Sequence, residues 1–123
     1  MKKINTIIIG LGKIGFGYVK DYMYFRSHSY SILSNKCFRL IGGVDNLKKN
    51  RDKFEKKFKL PVYDKIPKDL YKNLDLIVIA SNTQSHYQIL KKILQNCKFK
   101  TILCEKPFTE NNQKAQKIIE LNF

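Results

Sequence analysis

The chain has 123 residues, of which 43% are hydrophobic, so its length suits one folded domain with a single modest core. Its formal net charge is +14, but 21 of the 24 basic residues are lysines, and these are scattered along the whole chain. Because arginine is the usual residue for bidentate contacts to phosphate and guanine, we expect a basic surface that attracts anionic nucleotides and no nucleic-acid partner.

Apolar runs alternate with segments of helical periodicity. The runs are continuous and rich in β-branched residues, which is typical of strands buried on both faces of a parallel sheet. We therefore predict an α/β fold with a doubly wound parallel sheet, in one domain over residues 1–123. In chain order, the first predicted elements are a strand over residues 4–9, a helix from the glycine-rich loop to about Tyr24, a turn and short helix within 26–36, and a strand over 38–44. A helix capped by Asn46 follows, with Leu47, Arg51, Phe54 and Phe58 on one face, and then a short extended segment over 60–64 and a helical turn after Pro67. The last predicted elements are a strand over 74–81, a helix over 84–96, a strand over 100–104 and a helix capped by Thr109.

The loop "GLGKIG" after the first strand matches the pattern G-x-G-x-x-G of dinucleotide-binding Rossmann folds. Gly10 permits the tight turn, Gly12 lets the backbone approach a pyrophosphate, and Gly15 lets the helix pack close to the strand. Lys13 and Ile14 lie where a helix begins, and its free N–H groups and positive dipole favour phosphates. A glycine-rich turn without a ligand is the alternative interpretation.

Asp45 follows the second strand, where a carboxylate can accept hydrogen bonds from ribose hydroxyls and would repel a 2′-phosphate. This position favours NAD over NADP. The 30 residues between Gly15 and Asp45 exceed the usual spacing of about 20, and Lys48, Lys49 and Arg51 follow closely, so NADP stays an alternative. An acidic residue at the start of a helix is the purely structural alternative.

The segment 79–87, "IASNTQSHY", lies at the carboxyl end of the next long strand. Ligands bind at that edge of open α/β sheets, so we predict that Ser81, Asn82 and Thr83 line the cofactor site, or else that they only cap the helix. His86 falls in the first helical turn and is predicted to face the same cleft, with a structural histidine as the alternative.

Glu105, Lys106 and Pro107 end the last strand at the same edge of the sheet. A lysine there can hold a substrate hydroxyl, pass protons, or place positive charge beside an alkoxide that forms during hydride transfer. Glu105 can orient that lysine or contact the nicotinamide ribose, and Pro107 fixes the backbone and permits a cis bond. The alternative is a solvated charged pair at a strand end.

The three cysteines, Cys37, Cys97 and Cys104, form no C-x-x-C pair, so we expect buried thiols and neither a disulfide framework nor a metal site. The apolar run near the amino terminus is interrupted by Gly10 and resembles a signal peptide only superficially. Since no apolar stretch approaches the roughly 20 residues of a membrane span, we expect a soluble, cytoplasmic protein.

The glycine loop, Asp45, "VIASNTQSHY" and "CEKPFT", in this order and spacing, resemble the amino-terminal half of the Gfo/Idh/MocA oxidoreductases. The resemblance implies a Rossmann domain that binds NAD(P), with Lys106 contacting substrate and nicotinamide and Glu105 nearby. Substrates in that family are mostly sugars, polyols and sugar nucleotides. The segment with Ser27 and His28 resembles a branch associated with surface-polysaccharide sugars, which would explain the long gap before Asp45.

Two departures from the family pattern matter. Asn82 stands where many members have proline. The family's second, sheet-rich domain, which supplies the substrate pocket and an acid–base Asp and His, is absent from these 123 residues. We therefore expect the cofactor-binding half of a sugar oxidoreductase, for which a partner chain is one source of the missing domain. The alternative is a stand-alone dinucleotide-binding or regulatory module, or a truncated remnant, without catalysis.

Overall fold

A computed structural model describes residues 1–17, 27–97 and 101–122 of the chain. The described elements alternate between strand and helix, as the sequence predicts. The strands are β1 (Ile4–Ile9), β2 (Phe38–Val44), β3 (Val62–Tyr63), β4 (Leu76–Ile79) and β5 (Thr101–Cys104). The helices are α1 (His28–Ser34), α2 (Lys48–Phe58), α3 (Thr83–Asn96) and α4 (Asn112–Asn122), with a π-helical turn at Lys13–Gly17 and a 3₁₀ segment at Lys68–Asn73.

The five strands form one parallel sheet in the order β3-β2-β1-β4-β5. The chain winds outward from β1 to β3 and then crosses to β4 on the other side of β1, so the predicted doubly wound topology is confirmed. Ile9 at the end of β1 pairs with Val44 on one side and Ile79 on the other. The loops after these three strands therefore meet at the topological switch point, where doubly wound sheets bind ligands.

β1 contributes to the core on both faces of the sheet because successive side chains of a strand point in opposite directions. Ile7 and Ile9 belong to the cluster that includes residues of α3 and α4, whereas Ile8 belongs to the cluster that includes Ile32 of α1 and Phe54 of α2. This is why the strand reads as a continuous apolar run in the sequence.

The two faces of the sheet are covered to different extents at β5. Ile102 and Cys104 pack against the core cluster of α3 and α4, but Leu103 between them is 49% exposed. β5 is an edge strand of the sheet formed by the described residues, and one of its faces lacks a covering helix there.

Two predicted element boundaries differ from the structure. The strand predicted over residues 74–81 is shorter, Leu76–Ile79, because the chain turns into α3 directly after Ala80. The helix predicted from the glycine loop to about Tyr24 is described only as the turn Lys13–Gly17, and residues 18–24 of that prediction lie outside the described ranges. No helix within those ranges has the length and apolar character to cross a bilayer.

Two predicted caps are also wrong. At α2 the N-cap residue is Leu47 and not Asn46, and no side chain caps the helix; the carboxylate of Asp45 accepts a hydrogen bond from the Leu47 N–H just before the helix, at 2.8 Å. At α4, Asn111 Oδ1 accepts from the Lys114 N–H at 2.9 Å, while Thr109 is buried and donates its hydroxyl to the Asn111 carbonyl. Asp and Asn are strong competitors for such backbone donors, so composition alone did not decide between adjacent candidates.

Candidate functional site

The glycine loop packs its backbone directly against the next strand-end loop. Gly10 has φ +95°, and a Cβ there would overlap the backbone of Ser81. A Cβ at Gly15 would overlap the carbonyl oxygen of Gly10. The structure thus has the tight turn predicted at Gly10 and the close packing predicted at Gly15.

Gly12 differs from these two glycines because a Cβ there would meet no atom within 4 Å. It is exposed and lines a cavity, with Lys13 and Ile14 exposed beside it. The protein's own packing therefore does not require glycine at this position. A requirement for glycine would come from a ligand, and the pyrophosphate contact stays a prediction.

Asp45 connects the glycine loop to α2 through its carboxylate. Oδ2 accepts hydrogen bonds from the Leu11 N–H (2.9 Å) and from Asn50 Nδ2 (3.0 Å), and Oδ1 accepts from the Leu47 N–H. A carboxylate offers about four acceptor positions, so one remains for a ribose hydroxyl. The Arg51 guanidinium donates a hydrogen bond to the Asp45 carbonyl oxygen at 2.8 Å. Arg51 is one of the three cations whose presence kept NADP as an alternative, and this hydrogen bond engages its side chain with the protein's own backbone.

A cavity of about 450 Å³ lies between the loops that follow β1, β2 and β4. Its walls are mainly aliphatic, and a few polar groups project into it, which is the usual make-up of a small-molecule site. Gly10, Gly12, Asp45, Ser81 and Asn82 were predicted from the sequence and all line it. Sequence reasoning did not assign several further lining residues to the site, namely Asn46, Leu47 and Asn50 around the start of α2, Asp64, Lys65 and Ile66 after β3, Tyr71, and Ser85, Ile89, Lys92 and Ile93 of α3.

One of the missed groups carried a signal that the sequence could have revealed. The segment 64–66 follows a strand of the same parallel sheet and so belongs to the same edge, but β3 has only two residues and was interpreted as a possible link. Tyr71 is buried beside the cavity, and burial together with the nearby Cys97 thiol raises the pKa of its phenol. A second, more open cavity of about 410 Å³ adjoins the first along Asp64–Tyr71.

Ser81 and Asn82 both line the cavity and stabilise the start of α3. Asn82 Oδ1 accepts a hydrogen bond from the Ser85 N–H at 3.1 Å, and the hydroxyls of Ser81 and Ser85 lie 2.7 Å apart. The capping alternative for Asn82 is therefore confirmed, and it leaves the Asn82 amide group as a donor toward the cavity. Thr83 is half-buried as the first residue of α3 and does not line the cavity.

His86 is 1% exposed and does not line the cavity. Its Nε2 lies 3.0 Å from the Ser81 carbonyl oxygen, and its Nδ1 lies 3.0 Å from that of Pro107 and 3.2 Å from that of Phe108. The ring thus connects the loop after β4 to the segment after β5, as the structural alternative for this residue requires. From this buried position, the ring fixes the loop after β4 relative to the segment after β5.

Glu105, Lys106 and Pro107 lie at the carboxyl edge, outside the cavity. The peptide bond between Lys106 and Pro107 is cis, as the sequence allowed. The Glu105 N–H donates to the Ile79 carbonyl oxygen at 2.9 Å, and its carboxylate pairs with His28 rather than with Lys106. Lys106 is exposed, so its side chain is accessible to a ligand at this edge.

All three cysteines are thiols, and the expectation that they are buried is wrong for Cys37, which is exposed. Cys97 and Cys104 are half-buried. Burial and the negative charge of Glu105 raise the pKa of the Cys104 thiol to about 11. No group of three or more His, Cys, Asp or Glu side chains within the described ranges could hold a metal ion.

The thiol of Cys104 should therefore alkylate far more slowly than that of Cys37 at pH 8, because only the thiolate is nucleophilic. Iodoacetamide labelling followed by peptide mass spectrometry measures both rates in one sample, and Cys37→Ser identifies the fast site. Raising the pH should speed the Cys104 reaction up to about pH 11. Equal rates for Cys37 and Cys104 at pH 8 in the folded protein would contradict the half-buried, negatively charged surroundings of Cys104.

The raised pKa of Cys104 also predicts how the free energy of unfolding changes with pH. Above the ordinary thiol pKa of 9.0 the unfolded chain loses the Cys104 proton while the folded chain keeps it. This group's contribution to the free energy of unfolding is therefore fully present below pH 9 and is lost as the pH rises toward 11.

Comparison with known proteins agrees with this geometry. The model of the family named GFO_IDH_MocA, described as "Oxidoreductase family, NAD-binding Rossmann fold", matches residues 4–122. A comparison with curated proteins gave no match.

Three solved structures illustrate the structural similarity. GenD2 from gentamicin A biosynthesis, in complex with NAD, has 14% sequence identity and a TM-score of 0.77, and the match covers 99% of this chain and 32% of GenD2. The dehydrogenase MviM from Clostridium difficile has 26% identity and a TM-score of 0.73, with 98% of this chain and 36% of MviM covered. The UDP-N-acetylglucosamine 3-dehydrogenase GnnA from Acidithiobacillus ferrooxidans has 21% identity and a TM-score of 0.74, with 98% of this chain and 35% of GnnA covered. This chain spans about a third of the length of each.

Proposed function

The chain belongs to the Gfo/Idh/MocA oxidoreductase family, and from that membership we propose that it is the cofactor-binding part of a sugar or sugar-nucleotide oxidoreductase. The single observation that carries the proposal is one 450 Å³ cavity lined by Gly12, Asp45 and Ser81 at the switch point of the sheet. The loops after three different strands meet there, which is the arrangement that dinucleotides use in this fold.

The residues present fit NAD. The open space above Gly12 lets the backbone approach a pyrophosphate, and the free acceptor position of Asp45 suits a ribose hydroxyl. The aliphatic walls of the cavity suit the flat, largely apolar face of a base. When bound, NAD supplies the hydride acceptor, and NADH supplies the hydride donor.

Lys106 would hold the substrate oxygen whose charge changes during the reaction. Its ammonium is exposed at the same edge of the sheet, and a cation beside a developing alkoxide stabilises it. The remaining acid–base groups would come from a second domain, on the same polypeptide or on a partner chain.

The sugar class is supported by the names of similar proteins. GnnA is a UDP-N-acetylglucosamine 3-dehydrogenase, and GenD2 belongs to gentamicin A biosynthesis. We extend the proposal to the biosynthesis of surface-polysaccharide sugars on the resemblance of the segment around His28.

A stand-alone dinucleotide-binding module is the second candidate function. Lys106 does not line the cavity, and so the described residues surround the proposed adenosine side of the site more completely than the substrate side. Saturable NADH binding without turnover of any sugar, in a chain that remains monomeric, would favour this candidate.

The test is a fluorescence titration of the chain with NADH and with NADPH. We expect saturable NADH binding that is tighter than NADPH binding. Asp45→Asn should weaken NADH binding by about tenfold and reduce the preference over NADPH, because hydrogen bonds to a charged acceptor contribute about 1.5–3 kcal/mol. Asp52→Asn is the matched control, since Asp52 is on α2 but its carboxylate pairs with Lys48 on the exposed surface.

An absence of NADH binding by the folded chain would overturn the proposal. Binding that is equal for NADH and NADPH, and unchanged by Asp45→Asn, would remove Asp45 from the site and favour the NADP alternative.

A further inference from the structure

His28, the first residue of α1, contacts Glu105, which directly follows β5. α1 leads into β2, and β2 and β5 lie on opposite sides of β1 in the sheet. His28 Nε2 donates to Glu105 Oε1 at 2.7 Å, across a separation of 77 residues in the sequence. The side chains are 21% and 33% exposed, so solvent only partly screens the pair. His28 does not cap α1, because Ser27 supplies the side-chain acceptor at that helix start.

The helix that carries His28 is fixed to the glycine loop. The Ser29 hydroxyl donates to the Gly15 carbonyl oxygen at 2.5 Å, and Ser29 is fully buried. Ile32 of the same helix packs in the core cluster with Ile8 of β1 and Val78 of β4. The first turn of α1 therefore connects the phosphate-side loop to the end of β5 through two side chains, Ser29 and His28.

Glu105 is fixed from two directions. Its backbone N–H donates to the Ile79 carbonyl oxygen in continuation of the sheet, and His28 holds one carboxylate oxygen. The other oxygen, Oε2, retains its acceptor positions for hydroxyl groups. Within the described residues, no ion pair joins this carboxylate to the ammonium of the adjacent Lys106.

We propose that His28 is a positioning residue, which orients Glu105 so that its second carboxylate oxygen accepts a hydrogen bond from a hydroxyl of the ribose next to the nicotinamide. This inference rests on the proposed function, because it assumes that NAD occupies the cavity. It assigns to α1 a role at the reacting end of the cofactor, in addition to its packing against the sheet.

The test compares NADH with ADP, which has the same adenosine and two phosphates but lacks the second ribose and the nicotinamide. We expect His28→Ala to weaken NADH binding by about tenfold, the effect of one hydrogen bond to a charged group, and to leave ADP binding unchanged. His28→Gln keeps an N–H donor and should restore part of the NADH affinity. A purely structural role would weaken both ligands equally.

Glu105→Gln provides the second variant if His28→Ala does not fold. It should show the same selective loss for NADH, and adding His28→Gln to it should cause little further loss because the two residues act as one unit. Equal losses for NADH and ADP, or no loss for either, would overturn the positioning role while the proposed function stands. A wild-type chain that binds neither ligand would overturn both proposals.

Discussion

Replacing Gly12 with valine should abolish most NADH binding and leave the fold intact. A Cβ at Gly12 meets nothing within 4 Å, and of the described glycines only Gly10 has a positive φ, so a side chain fits without strain. The same side chain would occupy the space through which a pyrophosphate reaches the loop. We expect a loss on the order of 100-fold or more, because each hydrogen bond to a phosphate contributes about 1.5–3 kcal/mol.

The measurement is NADH fluorescence titration beside a thermal melt of the same sample. Gly12→Ala should give an intermediate affinity, since its side chain is shorter. Gly15→Val is the contrasting variant, because its side chain would overlap the Gly10 carbonyl oxygen and should lower the melting temperature. A folded Gly12→Val protein with the affinity of the wild type would remove the pyrophosphate from this loop.

The strands and the glycine loop were predictable because each leaves a local signal. A strand buried on both faces must be largely apolar, and residues 4–9, 38–44 and 76–79 satisfy this closely enough to be found without a structure. The turn at Gly10 likewise follows from one residue type that tolerates positive φ. Topology then places Asp45 and Ser81 beside the loop without further information.

The contact between His28 and Glu105 was not predictable from the sequence. The two residues are 77 positions apart, and their meeting depends on where α1 sits across the sheet, which is set by Ser29 on Gly15 and by Ile32 in the core. The role of His86 was left open for a related reason. A histidine in the first turn of a helix faces either the cleft or the core, and only the positions of the Ser81 and Pro107 carbonyls decide between them.

The two halves of the site differ in how they are built. Around Asp45, hydrogen bonds from two backbone N–H groups and from Asn50 hold the carboxylate, and side chains of the described residues line the cavity beside it. The side chain of Lys106 is exposed. The backbone on either side of it is held by the Glu105 N–H, which donates to Ile79, and by His86, which lies against the Pro107 carbonyl. The carboxylate of Glu105 pairs with His28. Within the described residues, the half of the site around Asp45 is therefore the more completely built of the two.

Phe54→Ala should be the most destabilising single substitution in α2. Phe54 is 0% exposed and packs edge-to-face against Phe16 and Phe58, with ring centroids 5.6 and 5.0 Å away. Truncating a buried phenylalanine removes its transfer free energy and leaves a cavity, at a cost of about 3–5 kcal/mol. Urea unfolding followed by circular dichroism measures the change in the free energy of unfolding.

Phe58→Ala is the matched control, because Phe58 lies one turn later in the same helix and the same ring cluster but is only half-buried. Phe58→Ala should lower the free energy of unfolding clearly less than Phe54→Ala. Equal losses would mean that the rings of Phe16, Phe54 and Phe58 hold α2 together as one cluster. Truncating Phe54 should also disturb the candidate site, because Asn50 and Arg51 lie one turn earlier in α2 and donate hydrogen bonds to Asp45. At temperatures where the variant is still folded, its NADH affinity should consequently fall while that of Phe58→Ala changes little.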